Sequence, residues 1–354
     1  MNKKVIHLIP QDGLGGVEQA ARSLIPHPNL DIEISFLRGK TLSKKDMIKL
    51  VSGPRVNLNS LSFYINGFSY LVKSDPDVLI TSLWRSSIIG IAYTLYKKFI
   101  LKKEINFILF LHADRFAHKV DKLFTTLAAM LADEVWADSD ATATSLLKND
   151  RFTKKMKIIS FLIRNEQLKP CDLEEKEDNF VFWGRIAKQK QLDIAIKLFS
   201  KIKLRKPESI FYIYGPDCGE LEALKKLVSE LNLLSNVLFM GSKKPNDYPS
   251  NAKRAKFFIN TSSHEGMAIA VTEAMQLGLV PIVTPVGEIA NYCIDGKNSI
   301  YYNSTTDKDI LNILSDTQLY SKLSQNAMEY WNYKNDYSKD FNDNCLRVIQ
   351  GNLC

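Results

Sequence analysis

The chain has 354 residues, 45% of them hydrophobic, which is long for one domain and sufficient for two ordinary cores. Its net charge of +8 is uneven: residues 1–170 hold 25 Lys and Arg against 16 Asp and Glu, and residues 171–354 hold 22 against 23. Five scattered cysteines, Cys171, Cys218, Cys293, Cys345 and Cys354, form no C-x-x-C or Cys/His grouping, which argues against a disulfide framework or a metal cluster and for a reduced, cytoplasmic setting.

The apolar run in MNKKVIHLIPQDG is too short for a signal peptide. No window approaches the roughly 18 apolar residues of a membrane span. The basic first half suggests an acidic partner, such as anionic lipid or a phosphorylated acceptor. Nucleic acid is a weaker reading, because no recognised binding motif accompanies the charge.

In chain order, Val5 to Ile9 reads as a strand, residues 10–16 as a Gly-rich loop and Val17 to Leu24 as a helix. Strands follow at Ile32 to Leu37 and Asp77 to Thr81, then an apolar helix from Ile88 to Ile100. Its end carries Lys97, Lys98, Lys102 and Lys103, a pattern compatible with a helix resting on anionic membrane or with a packed helix and a solvated basic terminus. Asn106 to Leu111 is a buried strand ending at His112. Glu134 to Ala137, helix Thr142 to Leu147 and strand Lys157 to Phe161 complete this half. The polar stretch 166–179 reads as a linker. The alternation restarts with strand Phe180 to Trp183, helix Leu192 to Lys203, strand Ile210 to Tyr214, helix Glu220 to Leu231 and strand Asn236 to Met240. The tail from Asp307 is helical and polar. Strands alternating with helices imply parallel sheets covered on both faces.

The stretch Thr261 to Pro285 organises the second half. It reads as a loop after the strand Lys256 to Thr261, a helix from Gly266 to about Leu277, and a strand over Val280 to Val283. Glu265 and Glu273 bracket the helix start. Eight residues of helix span roughly 12 Å. That exceeds the separation of about 5 to 9.5 Å at which paired carboxylates flank one glycosidic bond. It suits two ends of one long polar ligand. Between them, the free amides of Gly266, Met267, Ala268 and Ile269 would bind an anion. The pattern therefore reads as a carboxylate for sugar hydroxyls, amides for a diphosphate, and a carboxylate for a ribose diol. The alternative is an ordinary βαβ unit with both carboxylates solvated.

Glu265 to Glu273 resembles the E-x7-E element of retaining glycosyltransferases with the GT-B fold, in family 4. The likeness continues through Gly278-Leu279-Val280-Pro281, Val286-Gly287-Glu288-Ile289 and Asp295-Gly296-Lys297-Asn298. Gly184-Arg185 through Lys190 resembles the family's Gly-Arg-x4-Lys-Gly, with Gln191 in place of the last Gly. Gly13-Leu14-Gly15-Gly16-Val17-Glu18 resembles its Gly-Gly-x-Glu loop, and Glu18 departs from the dinucleotide pattern G-x-G-x-x-G. Asn165 resembles the hinge Asn-Gly, with Glu166 replacing Gly.

The resemblance implies two Rossmann-like α/β domains with parallel sheets facing an interdomain cleft. Residues 1–165 would bind the acceptor, residues 166–179 would link, residues 180–330 would bind the nucleotide sugar, and residues 331–354 would cross back to the first domain. It further implies that Glu265, His112, Arg185 and Lys190 carry the chemistry. Arg185 and Lys190 would clamp the diphosphate, Glu273 would hold the ribose, and Gly15, Gly16 and residues 266–269 would contact the donor. His112 would lie near the donor sugar, whereas His7, inside an apolar strand, reads as core. Gly215-Pro216-Asp217 and Gly241-Ser242 would approach the base. No metal or other cofactor is expected, since two cations and helix amides suffice to neutralise the leaving group. The partners implied are a nucleotide-sugar donor and a glycan or lipid-linked acceptor of surface polysaccharide, at or near the inner membrane face. An epimerase of the same fold and a non-catalytic subunit are the competing readings.

Overall fold

The computed structural model describes residues 3–13, 15–39, 49–52, 56–113, 115–146, 150–164, 169–242 and 247–351. Leu14 of the glycine loop, Asn165 at the hinge, and residues 166–168 of the linker lie outside them. The chain divides into two compact units, one of Met1–Ile163 with Asn335–Cys354 and one of Arg164–Lys334.

The first unit is built on a sheet of β1 (Lys4–Ile9), β2 (Asp31–Phe36), β3 (Lys49–Ser52), β4 (Val78–Ser82), β5 (Asn106–Leu111), β6 (Glu134–Ala137) and β7 (Met156–Ile158). Its order is β3-β2-β1-β4-β5-β6-β7, and every pairing is parallel. The central strands are buried along nearly their whole length, as a sheet with helices on both faces demands. Four described elements of this unit escaped the sequence reading: β3 and the helices Leu61–Ser74, Lys119–Leu131 and Asp150–Thr153. The helix expected over 88–100 is an α-helix at Trp84–Leu95 followed by a π-helical turn at Tyr96–Ile100. The last strand occupies Met156–Ile158, so it stops short of Phe161.

The final helix, Tyr337–Gly351, belongs to this first unit. Tyr337 and Phe341 are buried in it, the Phe341 ring lies 5.6 Å from that of Trp136, and Arg347 forks onto Glu134 at 2.5 and 2.6 Å. Ser160 N–H donates to Asp340 at 2.9 Å. A boundary at residue 331 is therefore four residues early. Arg164 donates to the carbonyls of Trp331 and Lys334 within the second unit, and Trp331 packs on Tyr292 with ring centroids 5.2 Å apart.

The second unit holds β8 (Glu177–Trp183), β9 (Phe211–Tyr214), β10 (Val237–Gly241), β11 (Ala255–Asn260), β12 (Val280–Val283) and β13 (Ile300–Tyr301) in the order β10-β9-β8-β11-β12-β13, again all parallel. β8 starts at Glu177, so the end of the expected linker is strand. Phe180, Phe199, Phe211 and Phe257 form an aromatic centre for its core.

Candidate functional site

β8 delivers Trp183 at its C-terminal end, and the chain then turns through Gly184 with φ +153°. Gly215, after β9, has φ +156°, and a Cβ there would sit 1.6 Å from the Gly184 carbonyl oxygen. Two strand ends thus meet backbone to backbone, and only glycine permits it. Arg185 follows. It is exposed and forms no ion pair or hydrogen bond among the described residues.

The turn Lys188–Lys190 is stitched to the loop after β11. Ser263 N–H donates to the Gln189 carbonyl at 2.9 Å, the Gln189 amide to the His264 carbonyl at 2.7 Å, and the Thr261 hydroxyl to the Gln191 carbonyl at 2.9 Å. Gln191 adopts φ +46°, the left-handed region, which is the physical reason a glycine would suit this position.

This stitching brings Lys190 onto Glu265, with Nζ to Oε1 at 2.5 Å. The same carboxylate oxygen accepts from Ser262 Oγ at 2.6 Å and Asn260 Nδ2 at 3.4 Å. Glu265 is only 7% exposed, so the solvated alternative fails for it. It fails for Glu273 as well, which is 2% exposed. Trp183 Nε1 donates to Glu273 Oε2 at 2.7 Å. The Tyr248 hydroxyl faces the same carboxylate; burial first, then the Glu273 charge and hydrogen bond, push that phenol far above its ordinary range. Buried carboxylates persist where donors compensate the lost hydration, and both have them.

The helix between the two carboxylates is shorter than the sequence suggests. It spans Ile269–Gln276, and Ala268, with φ +54°, stands at its N-cap. Gly266, Met267 and Ala268 are loop residues, so their amides are not the first turn of a helix. The loop is pinned from behind. Glu288 N–H donates to the Gly266 carbonyl at 3.1 Å, the Tyr292 hydroxyl to the Met267 carbonyl at 2.9 Å, and Gly287 approaches so closely that a Cβ would lie 1.9 Å from the Glu265 carbonyl oxygen. Met267 and Ile269 turn inward, whereas Gly266, Ala268 and Ala270 remain partly exposed. The amides of residues 266–269 donate no hydrogen bond among the described residues, and with small residues outward such a backbone is suited to an anion.

The structure thus gathers Lys190, Glu265, the 266–269 segment and Glu273 into one unit, around β8 and β11. Sequence reasoning missed Trp183, Tyr248, Ser262, Asn260, Gly287 and Tyr292. Of these, the strand-end position of Trp183 and the place of Gly287 in the Val286-Gly287-Glu288-Ile289 motif carried a signal. Asp217 accepts from the amides of Gly219, Glu220 and Leu221 at 2.8, 3.1 and 3.2 Å in the turn ahead of the helix Leu221–Glu230, which commits its side chain locally.

Gly15, Gly16 and His112 lie in the first unit. The helix Gly16–Ser23 begins there, and a Cβ on Gly15 would fall 2.6 Å from the Glu18 carboxylate, which folds back over the loop. Arg22 binds Asp12 and donates to the Gly13 carbonyl at 2.8 Å. His112 Nε2 lies 2.8 Å from Ser82 Oγ, which is also 2.7 Å from His7 Nε2; His112 Nδ1 is 3.6 Å from Asp138. The imidazole of His112 is 1% exposed. His7 is core, and burial, helped by the His112 charge, lowers it to about 3.

Residues 163–330, under half of the chain, match the family model "Glycosyl transferases group 1". The whole chain superposes on HepE from Anabaena in complex with UDP, with a TM-score of 0.81 over 98% of this chain and 100% of that one at 16% identity. The fold is GT-B. Sucrose-phosphate synthase from Thermosynechococcus elongatus gives 0.73 over 99% and 98% at 16% identity. Among curated proteins, the uncharacterized glycosyltransferase YqgM of Bacillus subtilis is 24% identical over 154 residues, covering 41% of this chain and 43% of that protein. Alpha-monoglucosyldiacylglycerol synthase of Acholeplasma laidlawii is 27% identical over 157 residues, covering 43% and 39%. The matched stretch spans well under half the length of these relatives. The residues matched by the family model fall, but for the first, within the second unit.

Proposed function

We propose that the chain is a retaining glycosyltransferase that moves a hexose or N-acetylhexosamine from a nucleoside-diphosphate sugar, with UDP-sugars favoured, to a glycan or lipid-linked hydroxyl, without a metal ion. The observation that carries this is the burial of Glu265 and Glu273 on donors, one just before and one a turn beyond the amides of residues 266–269, which donate no hydrogen bond among the described residues. The neighbours support the donor class: HepE structures hold UDP and UDP-glucose. Relatives support the acceptor class by name, among them GDP-mannose:cellobiosyl-diphosphopolyprenol alpha-mannosyltransferase of Xanthomonas campestris and poly(glycerol-phosphate) alpha-glucosyltransferase of Bacillus subtilis. We place the reaction in surface-polysaccharide or glycolipid assembly at the inner membrane face.

In this reading Arg185, Lys190 and the 266–269 amides stabilise the leaving diphosphate, where charge develops as the C1–O bond breaks. Lys190 keeps two N–H donors beyond the one on Glu265. The acceptor oxygen attacks C1 from the face the diphosphate leaves, and its proton passes to the leaving phosphate oxygen. Glu265 orients the sugar, Glu273 the ribose.

The test is thermal shift of the purified chain with UDP-, GDP-, ADP- and dTDP-sugars, with and without EDTA. A shift with one nucleotide class, insensitive to EDTA and lost in Glu273→Ala, is expected. No shift from any of them on folded protein overturns the reading. Turnover of the donor sugar without an acceptor would move the reaction to epimerisation.

A further inference from the structure

Just ahead of β8, inside the stretch whose sequence reads as a linker, stands a buried lysine. Lys176 is 9% exposed. Its amine donates to three carbonyls, those of Lys253 at 2.7 Å, Leu277 at 3.0 Å and Ala255 at 3.4 Å. Lys253 and Ala255 lie at the end of the helix Ser250–Arg254, and Leu277 caps the helix Ile269–Gln276. Carbonyls at a helix end have no partner within their own helix, and here two such ends share one cation.

No carboxylate pairs with this amine among the described residues. Glu177 is taken by Arg254 at 2.9 Å, and Asp178 by Lys256 and Lys206 at 2.6 and 2.8 Å. Asp172, Glu174 and Glu175 are exposed. Burial without a counter-charge disfavours the ammonium, and desolvation lowers Lys176 from 10.5 to about 8. At pH 7 roughly a tenth of it is therefore a neutral, nucleophilic amine, against less than about one in a thousand for a solvated lysine. Beside it lies a thiol. Cys171 Sγ donates to the same Lys253 carbonyl oxygen at 3.4 Å and is within hydrogen-bond reach of the Lys176 amine. The turn Leu173–Glu175 folds the intervening chain so that both side chains converge on that oxygen. Cys171 is a free, half-buried cysteine, so a small oxidant reaches it, whereas the amine behind it is shielded from water.

We propose that Cys171 and Lys176 are an oxidative cross-link site, at which hydrogen peroxide joins the sulfur to the amine nitrogen. The thiolate attacks peroxide, the O–O bond breaks, and a sulfenic acid and water result. The neutral amine then attacks that sulfur. An S–N bond forms, the S–O bond breaks, and the hydroxyl leaves with one nitrogen proton as a second water. The sulfur loses two electrons, the peroxide gains them, and the protein loses two hydrogens. A thiol reductant reverses the step by attacking sulfur and releasing the amine. The bonded nitrogen keeps one hydrogen, so it serves only one of the three carbonyls, and the ends of both helices lose a cation. The inference stands apart from the transfer reaction.

The test is peptide mapping of the full chain by mass spectrometry, after hydrogen peroxide and again after dithiothreitol. A bonded Lys176 blocks trypsin. The expected product is a peptide spanning Cys171 and Lys176, uncut after Lys176 and about 2 Da lighter than its reduced form. Dithiothreitol should restore both the mass and the cleavage. Cys171→Ser should abolish the product and keep the wild-type thermal melt. Lys176→Arg keeps a cation on the carbonyls but offers no nucleophile, since a guanidinium stays protonated. It should stop the reaction at the sulfenic acid, about 16 Da heavier and trapped by dimedone. The melt of the peroxide-treated wild type should fall and recover with dithiothreitol. Oxidised Cys171 with cleavage after Lys176 intact overturns the proposal. So does a Cys171 that peroxide leaves unmodified, or a disulfide to the exposed Cys218 as the sole lighter product.

Discussion

Glu273 is a carboxylate held at 2% exposure, and its position depends on Trp183. Trp183→Phe keeps a large aromatic against Phe258, whose ring centroid is 4.5 Å away, but removes the donor. A buried acceptor short of a partner costs about 1–3 kcal/mol. Nucleotide affinity in Trp183→Phe should therefore fall about tenfold or more, the equivalent of ~1.4 kcal/mol, in isothermal titration. The preference for ribose over 2′-deoxyribose nucleotides should shrink with it. Unchanged preference would detach Trp183 from ribose binding. Gly287 acts on the other carboxylate through backbone. Its φ of +56° and the 1.9 Å approach to the Glu265 carbonyl leave no room for a methyl group. Gly287→Ala should cost about 1–3 kcal/mol in urea unfolding and shift the Glu265 loop. Wild-type stability and donor binding in that variant would show that the loop tolerates the displacement.

At the scale of elements, the helix Ile269–Gln276 starts three residues later than its sequence suggests. The apolar pattern from Met267 onward is helical, but Glu288, Tyr292 and Gly287 fix the preceding backbone and force Ala268 into the left-handed region. That conformation costs an alanine about 1–2 kcal/mol, which glycine escapes at the expense of chain entropy. Ala268→Gly should therefore leave the chain as stable as before or up to about 1 kcal/mol more stable, measured by urea unfolding. A loss of more than that would mean the methyl group packs in a way the backbone strain conceals. The helix Lys119–Leu131 shows the opposite limit. Its apolar stripe faces outward, so inward burial could not have announced it, whereas Thr125, Ala128 and Ala129 do the packing.

At the scale of the molecule, the first unit carries a titratable group in its centre. His7 lies between Ser82, Phe110 and the Phe341 ring of the last helix, and burial lowers it from 6.5 to about 3. Between those values the unfolded chain binds a proton that the folded chain does not, so stability falls as pH drops below 6.5. The slope approaches 1.4 kcal/mol per pH unit, or about 2 kcal/mol between pH 7 and pH 5. His7→Gln should flatten that part of a urea-unfolding series against pH. An unchanged slope would assign the pH dependence to other groups.

Period and spacing in the sequence were sufficient for two parallel α/β halves, because fully buried strands read as apolar runs, as in β5, β12, Phe180–Trp183 of β8 and Phe257–Ile259 of β11. Glu265, Arg185 and Lys190 follow strand ends, which lie at one edge of a parallel sheet, whereas Glu273 lies within a helix; Arg185 and Lys190 were singled out by the resemblance to family 4, not by period or spacing. What period and spacing did not contain was any relation between residues distant in the chain. The Lys190–Glu265 pair joins positions 75 residues apart, and the Trp183–Glu273 bond 90. The boundary near 334 and the seat of the final helix rest on Asp340, Phe341 and Arg347 meeting partners more than a hundred residues away. Local pattern fixes what a segment can become; only the packed chain decides which carboxylate loses its water and which donor replaces it.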